Sequence, residues 1–112
     1  MKKIEAIIRR SKFEEVKAAL HDIDIDFFTY SKTVGVGNER NRKINFRGSS
    51  DIEFISRVTL SIVVRDINLK KTVDCILEKA YTGEVGDGKI FISTIEESYR
   101  IRTKESREES LI

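Results

Sequence analysis

Residues 82–91 read Thr-Gly-Glu-Val-Gly-Asp-Gly-Lys-Ile-Phe, which sets three glycines, two acids and a lysine between an apolar helical pattern and an apolar strand pattern. Glycine lets a backbone take positive φ and come close to a ligand. Successive amides in such a loop form an anion-binding concavity, and Lys89 adds a point charge, so the chemistry implied is polyphosphate binding. Gly83, four residues, Gly88 and Lys89 match the spacing of a Walker A loop, but two features oppose that reading. Ile90 stands where a hydroxyl would hold Mg²⁺. The loop also leaves a helix and enters a strand, so no following helix N-terminus underlies the phosphates. A glycine-rich turn without a ligand is the alternative.

The chain carries one cysteine, Cys75, and one histidine, His21. That excludes a disulfide within the chain and argues against a Cys/His zinc site. A Cys–His nucleophilic pair would need the fold to bring the two together. Net charge is +2, too small an excess to suggest nucleic-acid binding without local clustering. Charged residues are 36% and apolar ones 39%, a modest core that self-association would enlarge. The apolar run after Met1 is interrupted by Arg9 and Arg10, too soon for a signal segment or a membrane span. The expectation is one soluble, cytoplasmic domain with no direct membrane insertion.

The elements that must position the loop follow from periodicity. Ile4, Ala6 and Ile8 alternate with charged residues while Ile7 makes the second face apolar, which predicts a buried strand. Ser11 and Glu14 have capping-box spacing, and Phe13, Val16, Leu20 and Ile23 predict a helix ending near His21 or Asp22. A second strand is predicted over residues 27–34 and a third over residues 58–64. Asp66 or Asn68 would cap a second helix with the stripe Leu69, Val73, Ile76, Leu77 and Ala80. A last strand is predicted from Lys89 to about Ile95, with a short extension at residues 100–103 and a charged tail. Two βαβ halves predict an α+β, ferredoxin-like fold: one antiparallel sheet, both helices on one face. The other face then needs covering, which points to self-association. Between Gly35 and Phe54 no period is evident, and Arg40, Arg42, Lys43 and Arg47 make the insertion basic. A connection this long in a compact domain is usually functional or disordered.

The run Thr82, Gly86, Asp87, Gly88, Lys89, Ile90, Phe91 closely resembles the C-terminal signature of the P-II signal-transduction family. Residues 7–9 (Ile-Ile-Arg), Gly35-x-Gly37, Arg47-Gly48 and the Arg100-Ile101-Arg102-Thr103 run match as well, so the resemblance spans almost the whole chain. It implies a double βαβ core with a T-loop at about 36–54, a B-loop at about 82–89 and a C-terminal loop at about 100–112. It further implies a homotrimer binding ATP or ADP between subunits. On that resemblance Gly86, Asp87, Gly88 and Lys89 hold the phosphates, and Arg100 and Arg102 reach the nucleotide from a neighbouring subunit. Ile7, Thr29, Gly35 and Val63 line the adenine pocket, with Gly37 and Asn38 beside it. Two arginines and a lysine suit a polyphosphate. The competing reading pairs Arg100 and Arg102 with Glu96 or Glu97 at the surface.

The sequence departs from the family where Mg²⁺ and 2-oxoglutarate are implied. The family's usual Gln is Glu39 here, the arginine before it is Asn38, and a lysine is replaced by Arg57. Glu39 can still ligate Mg²⁺. It repels a dicarboxylate unless the metal screens the pair. Glu39, Arg40 and Arg57 are thus the altered 2-oxoglutarate set. The uridylylated T-loop tyrosine is absent, Ser49 resembles a serine that some relatives have phosphorylated, and Arg47 matches an arginine that plugs an ammonium channel. The reading is a regulator, not an enzyme, whose T-loop engages an ammonium transporter or a nitrogen-assimilation enzyme. Its rivals are an RNA-binding module, which lacks the paired aromatics for base stacking, and an acylphosphatase-like hydrolase using Arg9 or Arg10 as a phosphate cradle.

Overall fold

The structure is a computed structural model and describes residues 1–38 and 52–106, with the side chains of 37–38 and 52–55 left aside. Strand β1 is Lys2–Arg9, helix α1 Phe13–Asp22, strand β2 Thr29–Asn38, strand β3 Ile52–Val64, helix α2 Asp66–Ala80 and strand β4 Gly88–Thr94. The sheet order is β2-β3-β1-β4, with every neighbouring pair antiparallel, which is the expected α+β ferredoxin-like arrangement.

Alternation across the pleat sorts the side chains. Ile4, Ala6 and Ile8 of β1 and Val58, Leu60, Ile62 and Val64 of β3 are buried beneath the helices, against Phe13, Val16 and Leu20 of α1 and Ile76 and Ala80 of α2. The intervening residues face the other way, where no helix of the described chain lies. By register, Lys3, Glu5, Ile7 and Arg9 share that open face with Arg57, Thr59, Ser61 and Val63 of β3 and Lys89, Phe91 and Ser93 of β4. Phe91 is 51% exposed there.

Several local expectations are corrected. β2 begins at Thr29 and runs on to Asn38, and β3 begins at Ile52, through the pairs Val36↔Phe54, Gly37↔Glu53 and Asn38↔Ile52. Both strands therefore enter the segment in which no period is evident. Ladder hydrogen bonds carry the hairpin outward there, and Val34 and Val36 are exposed, so no buried face imposes alternation on that part of β2. The Ser11 capping box is not used. A 3-10 turn occupies Arg10–Lys12, and α1 starts at Phe13 with no side-chain cap. α2 has Arg65 at its N-cap position, also without a side-chain cap, and Asp66 in the first turn pairs with the Met1 ammonium at 3.0 Å. On α2 the expected stripe is turned. Leu77 is 57% exposed and Thr72 is fully buried, its hydroxyl donating to the Asn68 carbonyl at 2.7 Å. That local hydrogen bond lets a hydroxyl sit in the core.

Candidate functional site

The glycine loop bridges the end of α2 and the start of β4. Its geometry is set by Asp87. The Asp87 carboxylate accepts the Thr82 amide at 2.8 Å, the Gly83 amide at 2.9 Å and the Thr82 hydroxyl. Arg9, the last residue of β1, donates from Nε to Asp87 Oδ1 at 2.9 Å and from a terminal nitrogen to the Val85 carbonyl at 2.9 Å. The Glu84 amide donates to the Thr82 hydroxyl oxygen at 3.1 Å. Partial burial pushes the Asp87 pKa up, but the hydrogen bonds from Thr82, Arg9 and Gly83 outweigh it and hold the carboxyl well below the usual range.

Gly88 then brings the chain onto β1. Its φ is +103°, and a Cβ there would lie 1.7 Å from the Ile7 carbonyl oxygen, so no other residue fits without moving a strand. The next residue, Lys89, is exposed and lies directly opposite Ile7 on β1. An apolar cleft of about 140 Å³ adjoins the loop, with Ile7, Ile76, Leu77, Tyr81 and Ile90 in its wall. Gly86, Asp87, Gly88, Lys89 and Ile7 are therefore brought together. The Asp87 side-chain oxygens face the loop's own donors and Arg9.

Arg57 lies close by, buried and opposite Arg9 on one side and Thr33 on the other. Gly35 lies further along the same end, opposite Ile55, and the backbone of Gly37 and Asn38 continues outward from it. Glu39, Arg40, Arg47 and Ser49 lie outside the described residues.

The rest of the expected set sits elsewhere. Val63 is opposite Lys3, and Thr29 is opposite Ser61. Lys3 is four residues from Ile7 along β1, about 13 Å at strand rise. β4 ends at that far end, with Thr94 opposite Lys2 and the Ile95 amide donating to the Met1 carbonyl at 3.1 Å, and the segment that carries Arg100 and Arg102 leaves the sheet there. Their loop is closed by Lys104 N–H to the Arg100 carbonyl at 2.7 Å and Arg100 N–H to the Glu105 carbonyl at 2.8 Å. The Arg100 guanidinium lies 3.7 Å from the Glu105 carboxylate. Lys89 with Ile7, and Val63 with Thr29, thus lie at opposite ends of the open face, and the segment bearing Arg100 and Arg102 departs from the second end.

The other chemically capable residues do not form a site. His21 Nδ1 lies 2.6 Å from Asp26 Oδ1, so its partner is a carboxylate rather than Cys75. Burial pushes the Cys75 thiol up. Among the described residues no group of three or more His, Cys, Asp and Glu could hold a metal. The structural part of Arg9 is what sequence reasoning missed. Its only signal was its position at the end of β1, and pairing with a residue 78 positions away follows from β1–β4 register alone.

The family model described as Nitrogen regulatory protein P-II matches residues 1–105. The Nitrogen regulatory protein P-II of Microchaete diplosiphon is 45% identical over 112 residues, covering 99% of this chain and 100% of the relative. That of Bradyrhizobium diazoefficiens is 43% identical over 107 residues, covering 95% and 96%. Among solved structures, Arabidopsis thaliana PII bound to citrate is similar with a TM-score of 0.79 and 33% identity, covering 98% of this chain and 88% of that one.

Proposed function

The chain belongs to the nitrogen regulatory protein P-II family, whose members are regulators rather than enzymes, and from that premise we propose that it binds ATP or ADP in clefts between the subunits of a homotrimer. The observation that carries this reading is the division of the cationic groups. Lys89 stands beside the glycine loop at one end of the open face, while the segment that carries Arg100 and Arg102 leaves the sheet at the other. Separated so, they close over one polyphosphate only when a second copy brings its far end to the first copy's loop. Ile7 and Gly35 come from one copy, Thr29 and Val63 from the next, and stacking the helix-free faces also covers them.

Nucleotide state sets the conformation of the T-loop, each nucleotide favouring a different state. The loop then engages a protein target in nitrogen metabolism, an ammonium transporter or an assimilation enzyme in the cytoplasm. Arg47 is the contact residue and Ser49 a modification site. Glu39 supplies a carboxylate for Mg²⁺. The citrate in the solved plant relative supports a small carboxylate effector, for which Glu39, Arg40 and Arg57 make the 2-oxoglutarate set. No helix among the described residues is long and apolar enough to cross a membrane.

Calorimetric titration with ATP, ADP and ATP plus 2-oxoglutarate, with and without Mg²⁺, tests the reading. Saturable binding of one nucleotide per subunit is expected. Absence of heat and of any nucleotide-dependent change in melting temperature would remove it. The hydrolase reading loses Arg9 as its cradle, because Arg9 is engaged by Asp87 and Val85.

A further inference from the structure

We propose that Arg9 and Asp87 form a clasp that divides the glycine loop, folding residues 82–85 around an internal anion so that only residues 86–89 offer amides to a phosphate. The inference rests on the nucleotide reading for its second half and on geometry alone for its first. A carboxylate has about four acceptor sites. Asp87 fills that number with the Thr82 hydroxyl, the Thr82 and Gly83 amides, and Arg9 Nε. The concavity that a run of loop amides makes for an anion is therefore occupied, along its first half, by the protein's own anion. The clasp draws on neither Gly86 nor Gly88, the glycines nearest Lys89.

The charge balance supports the same division. A bare carboxylate in this loop would repel a polyphosphate, and Arg9 neutralises it. Arg9 thereby becomes a positioning residue that acts through Asp87, and Lys89 is left as the loop's cation toward the ligand. The two arms of the guanidinium, one on Asp87 and one on the Val85 carbonyl, fix the loop from both sides. A lysine cannot reproduce that fork.

The test uses the full chain and the variants R9Q, R9K, D87N and R9Q/D87N, with two readouts. Amide hydrogen exchange without nucleotide reads the clasp, and calorimetry with ATP reads the phosphate half. The Thr82 and Gly83 amides are expected to be protected in the wild type and to exchange rapidly in R9Q and D87N. ATP affinity should fall about tenfold in each. R9K should recover part of both losses, and the double variant should be no worse than D87N. Protected amides in R9Q, or losses that add in the double variant, would overturn the clasp. Lost protection with unchanged ATP affinity would overturn the division of the loop. A wild type that binds no ATP yet protects both amides defeats the nucleotide reading while the clasp stands.

Discussion

Gly88 meets Ile7 so closely that a single added methyl group would fall 1.7 Å from the Ile7 carbonyl oxygen. The contact joins the glycine loop to the central strand at the point where Lys89 begins to point onto the open face. Gly88→Ala must therefore push β4 off β1 and strain a φ of +103° as well. A loss on the order of 3 kcal/mol is expected, in the range of severe backbone and overpacking changes. Chemical denaturation measures it, and a loss near zero would mean that β4 slides without cost.

The divided cationic groups predict complementation between subunits. Lys89→Ala and Arg102→Ala should each weaken ATP binding at least about tenfold, as losses of charge-assisted contacts do. Mixed trimers of the two variants should contain some clefts with both groups intact, and these should bind ATP at wild-type affinity. Mixed samples that bind no better than either parent would place both residues on the same side of one cleft.

Asp87 gives a pH dependence with a definite sign. Its folded pKa is depressed by the donors around it, so the ionised carboxylate stabilises the fold. That contribution is complete above the unfolded carboxyl value of about 3.9 and is lost as pH falls toward the folded value. The stability gap between wild type and Asp87→Asn should stay constant above about pH 5 and narrow below about pH 4. A gap that narrows instead between neutral pH and pH 5 would contradict the depressed pKa.

His21 titrates in the opposite sense. The hydrogen bond that its Nδ1–H donates to Asp26, and then the charge of the same carboxylate, raise its pKa above the ordinary 6.5. Its contribution is present below that value and disappears as pH rises through the raised one. Imidazole proton shifts followed by NMR should show a midpoint above 6.5. Asp26→Asn should bring the midpoint down, and no change in that variant would assign the shift elsewhere.

The fold was legible wherever one face of an element is buried. β1 and the inner half of β3 alternate because the helices impose it, and α1 shows its stripe for the same reason. The outer hairpin was not legible, since Val34 and Val36 are exposed and ladder hydrogen bonds leave no mark on side-chain type. Thr72 was unreadable because a hydroxyl satisfied by its own helix behaves as an apolar group. Of the candidate site, the glycines announced a tight loop beside Lys89 through their types. Asp87 looked like part of the same ligand set, and only the fold reveals that Arg9 arrives beside it. That the segment bearing Arg100 and Arg102 leaves the sheet at the end away from Lys89 was equally invisible, because it is a matter of strand direction and not of composition.

Strand β3 runs without a break from Ile52 to Val64, and Arg57 lies on it opposite Arg9. Its outer end continues into the segment assigned to the partner, and its inner end is clamped on both sides by β2 and β1. A stiff ribbon held that way works as a lever. A displacement at residue 52 is delivered, five residues inward, to the arginine that borders the clasp, so the outer hairpin and the glycine loop are tied by a single piece of backbone.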